Sequence, residues 1–365
     1  MRISHVEAHR VPLPGSDPAF GWRRGLLGSP SDGAAAVLRI GTDAGAAGVA
    51  LASRPGMAAA VEDIVDRVLR DQLVGSDPLQ REYLWHRVWE IDRTEELPLP
   101  VLGLTDVALW DLAARTTAQP VWQLLGGYRE HIPAYASTVT FESIAEFLDV
   151  ATQCLDLGYQ ALKVHAWGEA RADAELAGRL REHVGDEIPL MYDGSAGFDL
   201  RDAIYLGNAL SAANFLWYEE PMREFSVTAY GRLARAVAIP LLVAETSDGA
   251  HMNSADFIAA GAATFGVRTG AATRGGITGA VRTAHLAEAF RLRAEVLGDE
   301  IPSRHLTMAI PNTTFFESLI TSNPVHKKPE VDAEGFVHAP TSPGIALPAG
   351  LDYPAALQPY VEAGP

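Results

Sequence analysis

Three acidic residues in this chain each close a short apolar run, and they recur at equal intervals. Pro189-Leu190-Met191-Tyr192 runs into Asp193, Phe215-Leu216-Trp217-Tyr218 into Glu219, and Pro240-Leu241-Leu242-Val243-Ala244 into Glu245. Successive acids are 26 residues apart, about the length of one strand and one helix. Carboxylates gathered from consecutive strand ends repel one another unless a cation lies among them. Oxygen-only ligands favour a hard divalent ion, most simply Mg2+. One unit upstream, Ala161-Leu162 leads into Lys163-Val164-His165, which sets an ammonium and a candidate base beside that ion. The constellation suits acid–base chemistry at a bound cation.

Side chains so placed need a scaffold that collects strand ends on one face. From about residue 130, short strands are expected at 132–137, 161–165, 189–193, 215–220, 240–245, 264–268, 292–296 and 314–317, with helical patterns such as 142–157 and 277–290 between them. Regular alternation implies a parallel sheet with right-handed crossovers, and eight units close a barrel. The rival, a doubly wound open sheet, lacks a Gly-x-Gly-x-x-Gly after the first strand. Upstream, residues 1–12 and 34–52 read as an antiparallel hairpin or meander, followed by helical stripes through Ile64, Val68, Trp85, Val88 and Trp110. The loop 14–32, with Phe20, Trp22, Arg23 and Arg24, has the length of a lid. The expected division is an α+β capping domain over 1–128, a barrel over 129–339, and a tail over 340–365 that packs back on the cap.

Composition narrows the partners. Of 365 residues, 29 are Lys or Arg and 46 are Asp or Glu, a formal net charge of −17. Nucleic acid is an unsuitable partner for such a surface, whereas a small anionic substrate needs only local cations. Cys154 is the only cysteine, so no intrachain disulfide forms and a reducing compartment fits. Met1-Arg2-Ile3-Ser4-His5 lacks the apolar stretch of a signal peptide, and no run has the length of a membrane span. The expectation is a cytoplasmic protein with no membrane partner.

The order of motifs resembles the enolase superfamily, and within it the mandelate racemase subgroup, over nearly the whole chain. The resemblance rests on Asp106-Val107-Ala108-Leu109-Trp110-Asp111-Leu112-Ala113, Pro120-Val121-Trp122-Gln123-Leu124-Leu125-Gly126-Gly127, Lys163-Val164-His165, Asp193, Trp217-Tyr218-Glu219-Glu220-Pro221, Glu245 and Gly275-Gly276-Ile277-Thr278. It implies a modified TIM-type (β/α)7β barrel with an α+β cap, Mg2+ on Asp193, Glu219 and Glu245, and removal of a proton next to a carboxylate. It also implies that Glu317, closing the eighth strand, hydrogen-bonds or donates to the substrate carboxylate. A small carboxylate substrate and a homo-oligomer follow from it as well. The physical logic is independent of the resemblance: ionising such a carbon acid adds a second negative charge to one group, and a divalent cation offsets it. Lys163 and His165 share one side of a strand and can act together. Imidazole titrates near neutrality, so His165 can replace the family's usual second Lys as base.

The pattern breaks in two places. Counting from Gly275-Gly276, an acid used by two-faced members falls on Gly270, and a His falls on Leu297. Neither residue moves a proton. His305, Arg268 and Arg274 are candidates to substitute from loop positions, and Trp22, Arg24 and His305 are expected at the substrate. Gly275 and Gly276 suit either an anion at a helix N-terminus or a close turn. The leading reading is dehydration of a hydroxylated (sugar) acid to a 2-keto acid, with Lys163, His165 and Glu317 as catalytic residues. A racemase, epimerase or cycloisomerase with an unrecognised second acid, and a non-catalytic member that only binds metal and ligand, stay open beside it.

Overall fold

The computed structural model describes residues 1–13, 21–26, 33–52, 56–95 and 97–362. Most of the expected lid, Phe20 included, lies outside the described residues. The N-terminal part builds an antiparallel meander in the order β1 (Ile3–Pro12), β2 (Ala34–Thr42), β3 (Ala47–Ala52). Helices Met57–Ile64, Arg81–Glu95 and Leu99–Thr116 follow. The last is buried on nearly all sides because it lies between two layers, β3 on one side and the helix Gly276–Ala289 on the other.

Eight strands then pair in parallel: β4 (His131–Thr138), β5 (Ala161–His165), β6 (Leu190–Asp193), β7 (Trp217–Glu219), β8 (Leu241–Val243), β9 (Gly266–Thr269), β10 (Arg293–Val296) and β11 (Phe316–Ile320). Their order is β10-β9-β8-β7-β6-β5-β4-β11. A helix follows each of the first seven: Ile144–Asp156, Ala170–Val184, Leu200–Ala212, Val227–Ala236, Ala250–Ala259, Gly276–Ala289 and Ile301–Ala309. Ser143, Asp199 and Ser226 start three of these helices by accepting the amide three residues on, which supplies partners for otherwise orphaned N–H groups. Between β10 and β11 the barrel is closed by other bonds. Ala294 N donates to Asn312 O at 3.0 Å, and the Glu295 carboxylate accepts from Thr313 Oγ1 and from Thr314 N and Oγ1. The fold is thus a (β/α)7β barrel with an α+β cap. A short β12 (Phe336–His338) runs antiparallel to β4.

Two strands stop earlier than the apolar runs suggest. Glu220 has φ +39° and Ala244 φ +65°, so both leave the ladder at the barrel mouth. No helix among the described residues is long and apolar enough to cross a membrane. Cys154 is buried in the helix Ile144–Asp156, as its helical pattern suggests.

The motif 106–113 is explained by its two aspartates. Asp106 Oδ2 accepts Thr278 N at 2.8 Å and Oδ1 accepts Thr278 Oγ1 at 2.6 Å. The acceptor at this helix N-terminus is therefore the chain's own Asp106 carboxyl, which burial pushes up to about 7. Gly276 makes room for it, since a Cβ there would stand 2.3 Å from Asp106 Oδ2. Asp111 joins three segments: it accepts Val49 N at 2.9 Å, Ile345 N at 2.6 Å and Arg115 Nε at 2.8 Å. Leu347, Tyr353 and Leu357 of the tail pack with Val11, Val37 and Val49 of the antiparallel sheet. Asp111→Ala leaves two buried amides without an acceptor and should cost roughly 3 kcal/mol in chemical denaturation; a loss under about 1 kcal/mol would show that Asp111 is not the tie between these segments.

Candidate active site

Strand periodicity sorts the barrel interior into layers. Tyr135, Ala161, Met191, Trp217 and Leu242 form an apolar layer inside the barrel. Two residues further on, toward the mouth, the same strands present Ser137, Lys163, Asp193 and Glu219. His165 is two residues beyond Lys163. A layer of charge therefore rests on a layer of hydrocarbon and aromatic rings, where water cannot screen it.

Lys163 is 1% exposed and its Nζ reaches Asp193 Oδ2 at 3.2 Å, Glu219 Oε2 at 3.0 Å and Glu317 Oε1 at 2.8 Å. Arg268, fully buried, forks onto both oxygens of Glu219, one of them at 2.8 Å. It also donates to Tyr135 OH at 2.9 Å and Val296 O at 3.1 Å. Glu317 Oε2 accepts Gly298 N at 2.8 Å, so both of its oxygens act as acceptors. His165 Nδ1 lies 2.6 Å from Thr138 O. A carbonyl only accepts, so Nδ1 carries a proton. Nε2 stands 3.1 Å from Asp193 Oδ2, an ionised carboxylate that likewise only accepts, so Nε2 is the ring atom open to proton transfer once a cation takes up that carboxylate.

The acids divide by what faces them. Burial raises the Asp193, Glu219 and Glu317 carboxyls, but His165 and Lys163 at the first, and Lys163 and Arg268 at the other two, outweigh it and hold all three below the usual range. Lys163 is held above its ordinary value: burial and Arg268 pull it down, and Glu219 and Glu317 overcome both. Glu245 goes the other way. Burial, then the charges of Glu220, Glu219 and Asp193, push it well above the carboxylate range. Its Oε2 is buried and accepts no hydrogen bond from the described residues, with Arg268 Nε 3.8 Å away.

Asp193, Glu219 and Glu245 each offer an oxygen within 4.8 Å of the others. With Glu317 and Glu220 they make five acids beside two fixed cations, Lys163 and Arg268, a deficit of positive charge. An all-oxygen set, an orphaned buried oxygen and that deficit together fit a hard divalent ion.

The other expected residues are placed as follows. The Trp22 ring lies 4.6 Å from the His165 ring, tilted at 52°. Its segment is docked on the barrel mouth: Thr140 N donates to Gly21 O, and Arg23 Nε donates to Ser195 O at 2.9 Å. Arg24 is half-exposed at the rim, paired with Glu169 at 3.2 Å and set over the Trp167 ring. His305 is not brought to this group. It is fully buried in Ile301–Ala309, its Nδ1 accepts Trp122 N at 3.2 Å, and burial pushes it down to about 3. Its place is the packing of that helix on Val121–Leu124, not a loop.

Gly270 and Leu297 face each other: a Cβ on Gly270 would stand 3.4 Å from Leu297 Cβ. Arg268 and Arg274 are corrected as well. Arg268 lies on β9 inside the barrel, and the signal was available, because it shares a strand face with Gly270 two residues on. Arg274 is buried and bonded to the backbone of the Glu245 turn. Glu220, next to Glu219, accepts Thr246 Oγ1 at 2.5 Å.

Fold and site define a class of protein: a capped barrel that gathers acidic strand ends into a cation site with a Lys and a His beside it. The chain belongs to the mandelate racemase / muconate lactonizing enzyme family, for residues 146–349 match the enolase C-terminal domain-like family and residues 27–126 match the mandelate racemase / muconate lactonizing enzyme N-terminal domain. It is similar to a D-glucarate dehydratase from Agrobacterium tumefaciens complexed with magnesium, with 30% identity and a TM-score of 0.85 over 94% of this chain and 96% of that one. In sequence it is 31% identical over 182 residues to a 3,6-anhydro-alpha-L-galactonate cycloisomerase of Streptomyces coelicolor, covering 48% of this chain and 50% of that protein. It is 27% identical over 375 residues to a D-galactonate dehydratase family member of Streptomyces bingchenggensis, covering 88% and 90%. The chain spans about half the length of several curated relatives it matches.

An uncompensated buried acid destabilises the metal-free protein. In chelator, Glu245→Gln should therefore unfold at a higher temperature than the parent protein. Mg2+ at about 100 times its Kd should stabilise the parent by ~2.7 kcal/mol and leave the variant unmoved. A variant less stable than the parent in chelator would contradict the charge assignment.

Proposed function

We propose that the protein removes the proton next to the carboxylate of a hydroxylated acid and expels the β-hydroxyl, giving a 2-keto acid. The observation that carries this reading is the one-sidedness of the mouth. His165 offers Nε2 from β5, while β9 and β10, across the barrel, end in Gly270 and Leu297. Two opposed bases are what racemisation requires, and the described residues offer Nε2 of His165 on one side with Gly270 and Leu297 on the other. Elimination needs one base and one acid, and a single imidazole can serve as both in turn on the same face.

Asp193, Glu219 and Glu245 would hold Mg2+, which when bound supplies positive charge to the substrate carboxylate as negative charge develops on it. The Nδ1–H bond to Thr138 O fixes the His165 tautomer and aims Nε2 into the site. Nε2 takes the α-proton, and the C–H pair becomes the C–C double bond of the enol. The β C–O bond breaks, and Nε2 returns the proton to the departing hydroxyl as water. The enol then tautomerises to the 2-keto acid. Lys163 donates all three of its N–H bonds to carboxylates, so its part is fixed positive charge rather than proton removal. Glu317 steadies Lys163 from the eighth strand. Trp22 covers His165 and limits water there. Arg24 stands at the rim, where an acid sugar would enter.

Similarity to a cycloisomerase favours a second reading, ring opening or closure without loss of water, which the same single base could perform. The acidic composition and the single buried cysteine support a cytoplasmic setting, and the family resemblance a symmetric homo-oligomer. Proton NMR in D2O, with Mg2+ and a panel of aldonic and aldaric acids, tests the reading. Expected is a 2-keto acid, with His165→Asn lowering turnover by at least about a hundredfold. Exchange or rearrangement without water loss favours the isomerase, and no reaction with any acid leaves a protein that only binds metal and ligand. Full activity in His165→Asn would clear His165 of proton transfer.

A further inference from the structure

The turn that carries Glu245 is irregular and largely buried, so its backbone needs partners that no strand ladder supplies. β8 ends at Val243, Ala244 stands at φ +65° and Ala250 at φ +50°, both in the left-handed region. Two side chains from the flanking strand ends hold this turn. Glu224, in the loop after β7, is 4% exposed. Its carboxylate accepts the amides of Ala244, of Thr246 at 2.8 Å and of Ser247 at 3.1 Å. Arg274, in the loop after β9, is fully buried. It donates through Nη2 to Glu245 O at 2.8 Å and through Nη1 to Ser247 O at 2.8 Å. A carboxyl thus takes the donors of the turn and a guanidinium takes its acceptors, with Glu245 between them.

Glu245 depends on this support more than its companions do. Asp193 accepts Ser195 N at 2.9 Å and faces Lys163 and His165, and Glu219 is gripped by Arg268 and Lys163. Glu245 Oε2 accepts no hydrogen bond from the described residues. Its carboxylate has one distant ion pair among them, to Arg268 Nε at 3.8 Å, so its direction leans on its backbone more than theirs does. We propose that Glu224 and Arg274 are positioning residues that aim Glu245 at Asp193 and Glu219, so that cation affinity depends on two side chains that do not bind the cation. The inference rests on the metal reading given under Proposed function.

The test is titration of the full, metal-stripped chain with Mn2+, following the free ion by electron paramagnetic resonance. Glu224→Gln should raise the Kd for Mn2+ by roughly ten- to a hundredfold, the usual cost of losing a group that orients a ligand. Its unfolding midpoint in chelator should fall, because a buried carboxylate that accepts backbone amides is altered, and the comparison with Asp111→Asn separates that loss from the change in Kd. Arg274→Lys keeps the charge but loses the planar fork, should shift the Kd in the same direction, and replaces Glu224→Gln if that variant does not fold. Asp111→Asn alters a carboxylate of similar design in the cap, and should lower the midpoint without moving the Kd. Parent-like Mn2+ binding in both Glu224→Gln and Arg274→Lys overturns the inference alone, as does an equal Kd shift in Asp111→Asn, which would mean general loosening. A parent protein that binds no Mn2+ overturns the metal reading and this inference with it.

Discussion

Asp193, Glu219 and Glu245 bring negative oxygens within 4.8 Å of one another above a layer of aromatic and aliphatic side chains. At an effective dielectric near 20, each pair at that distance repels by roughly 3 kcal/mol. The barrel mouth is stable only because charge of the other sign is built into the same layer. Lys163 and Arg268 hold Asp193, Glu219 and Glu317 below the usual carboxyl range but are outnumbered by them, and Glu245 is pushed the other way. The excess is of acids over cations, which a divalent cation would offset. The active-site reading follows from that imbalance rather than from the presence of acids as such, which is common on protein surfaces.

Much of the fold can be understood as support for this layer. The strands that bear the acids are short, and the chain leaves each of them through left-handed backbone at Ser195, Ala196, Glu220 or Ala244. Conformations of that kind persist where surrounding structure over-determines them. Here the surroundings are side chains that bond to backbone: Asp173 takes the amides of Trp167, Gly168 and Glu169, and Glu224 and Arg274 take both sides of the Glu245 turn. The cap is bound to the barrel by the same device, through Asp106 at the start of Gly276–Ala289. Its Trp22 segment then closes over His165.

The acid spacing was legible because a strand and its helix have a nearly constant combined length, so equal intervals in sequence become adjacent strand ends in space. Lys163 and His165 were legible for a related reason, since a two-residue step keeps one face of a strand. The same rule places Arg268 in the barrel beside Gly270, which shows that periodicity has to be applied to every residue of a strand and not only to expected acids. Other features were not legible. Whether Gly276 served an external anion or a close contact depended on Asp106, which is 170 residues away in sequence. His305 sits in a helix that begins after Glu300, and nothing in its neighbours marks the burial against Trp122. Glu224 and Arg274 act through the backbone of a third segment, and such contacts leave no periodic trace.

Crystals grown with Mn2+ and measured at its absorption edge test the central claim most directly. The account predicts one strong anomalous peak in the barrel mouth, with oxygens of Asp193, Glu219 and Glu245 all at bonding distance and Lys163 and His165 beside it. A well-ordered mouth with those three carboxylates turned apart, or a peak held by other residues, would contradict it.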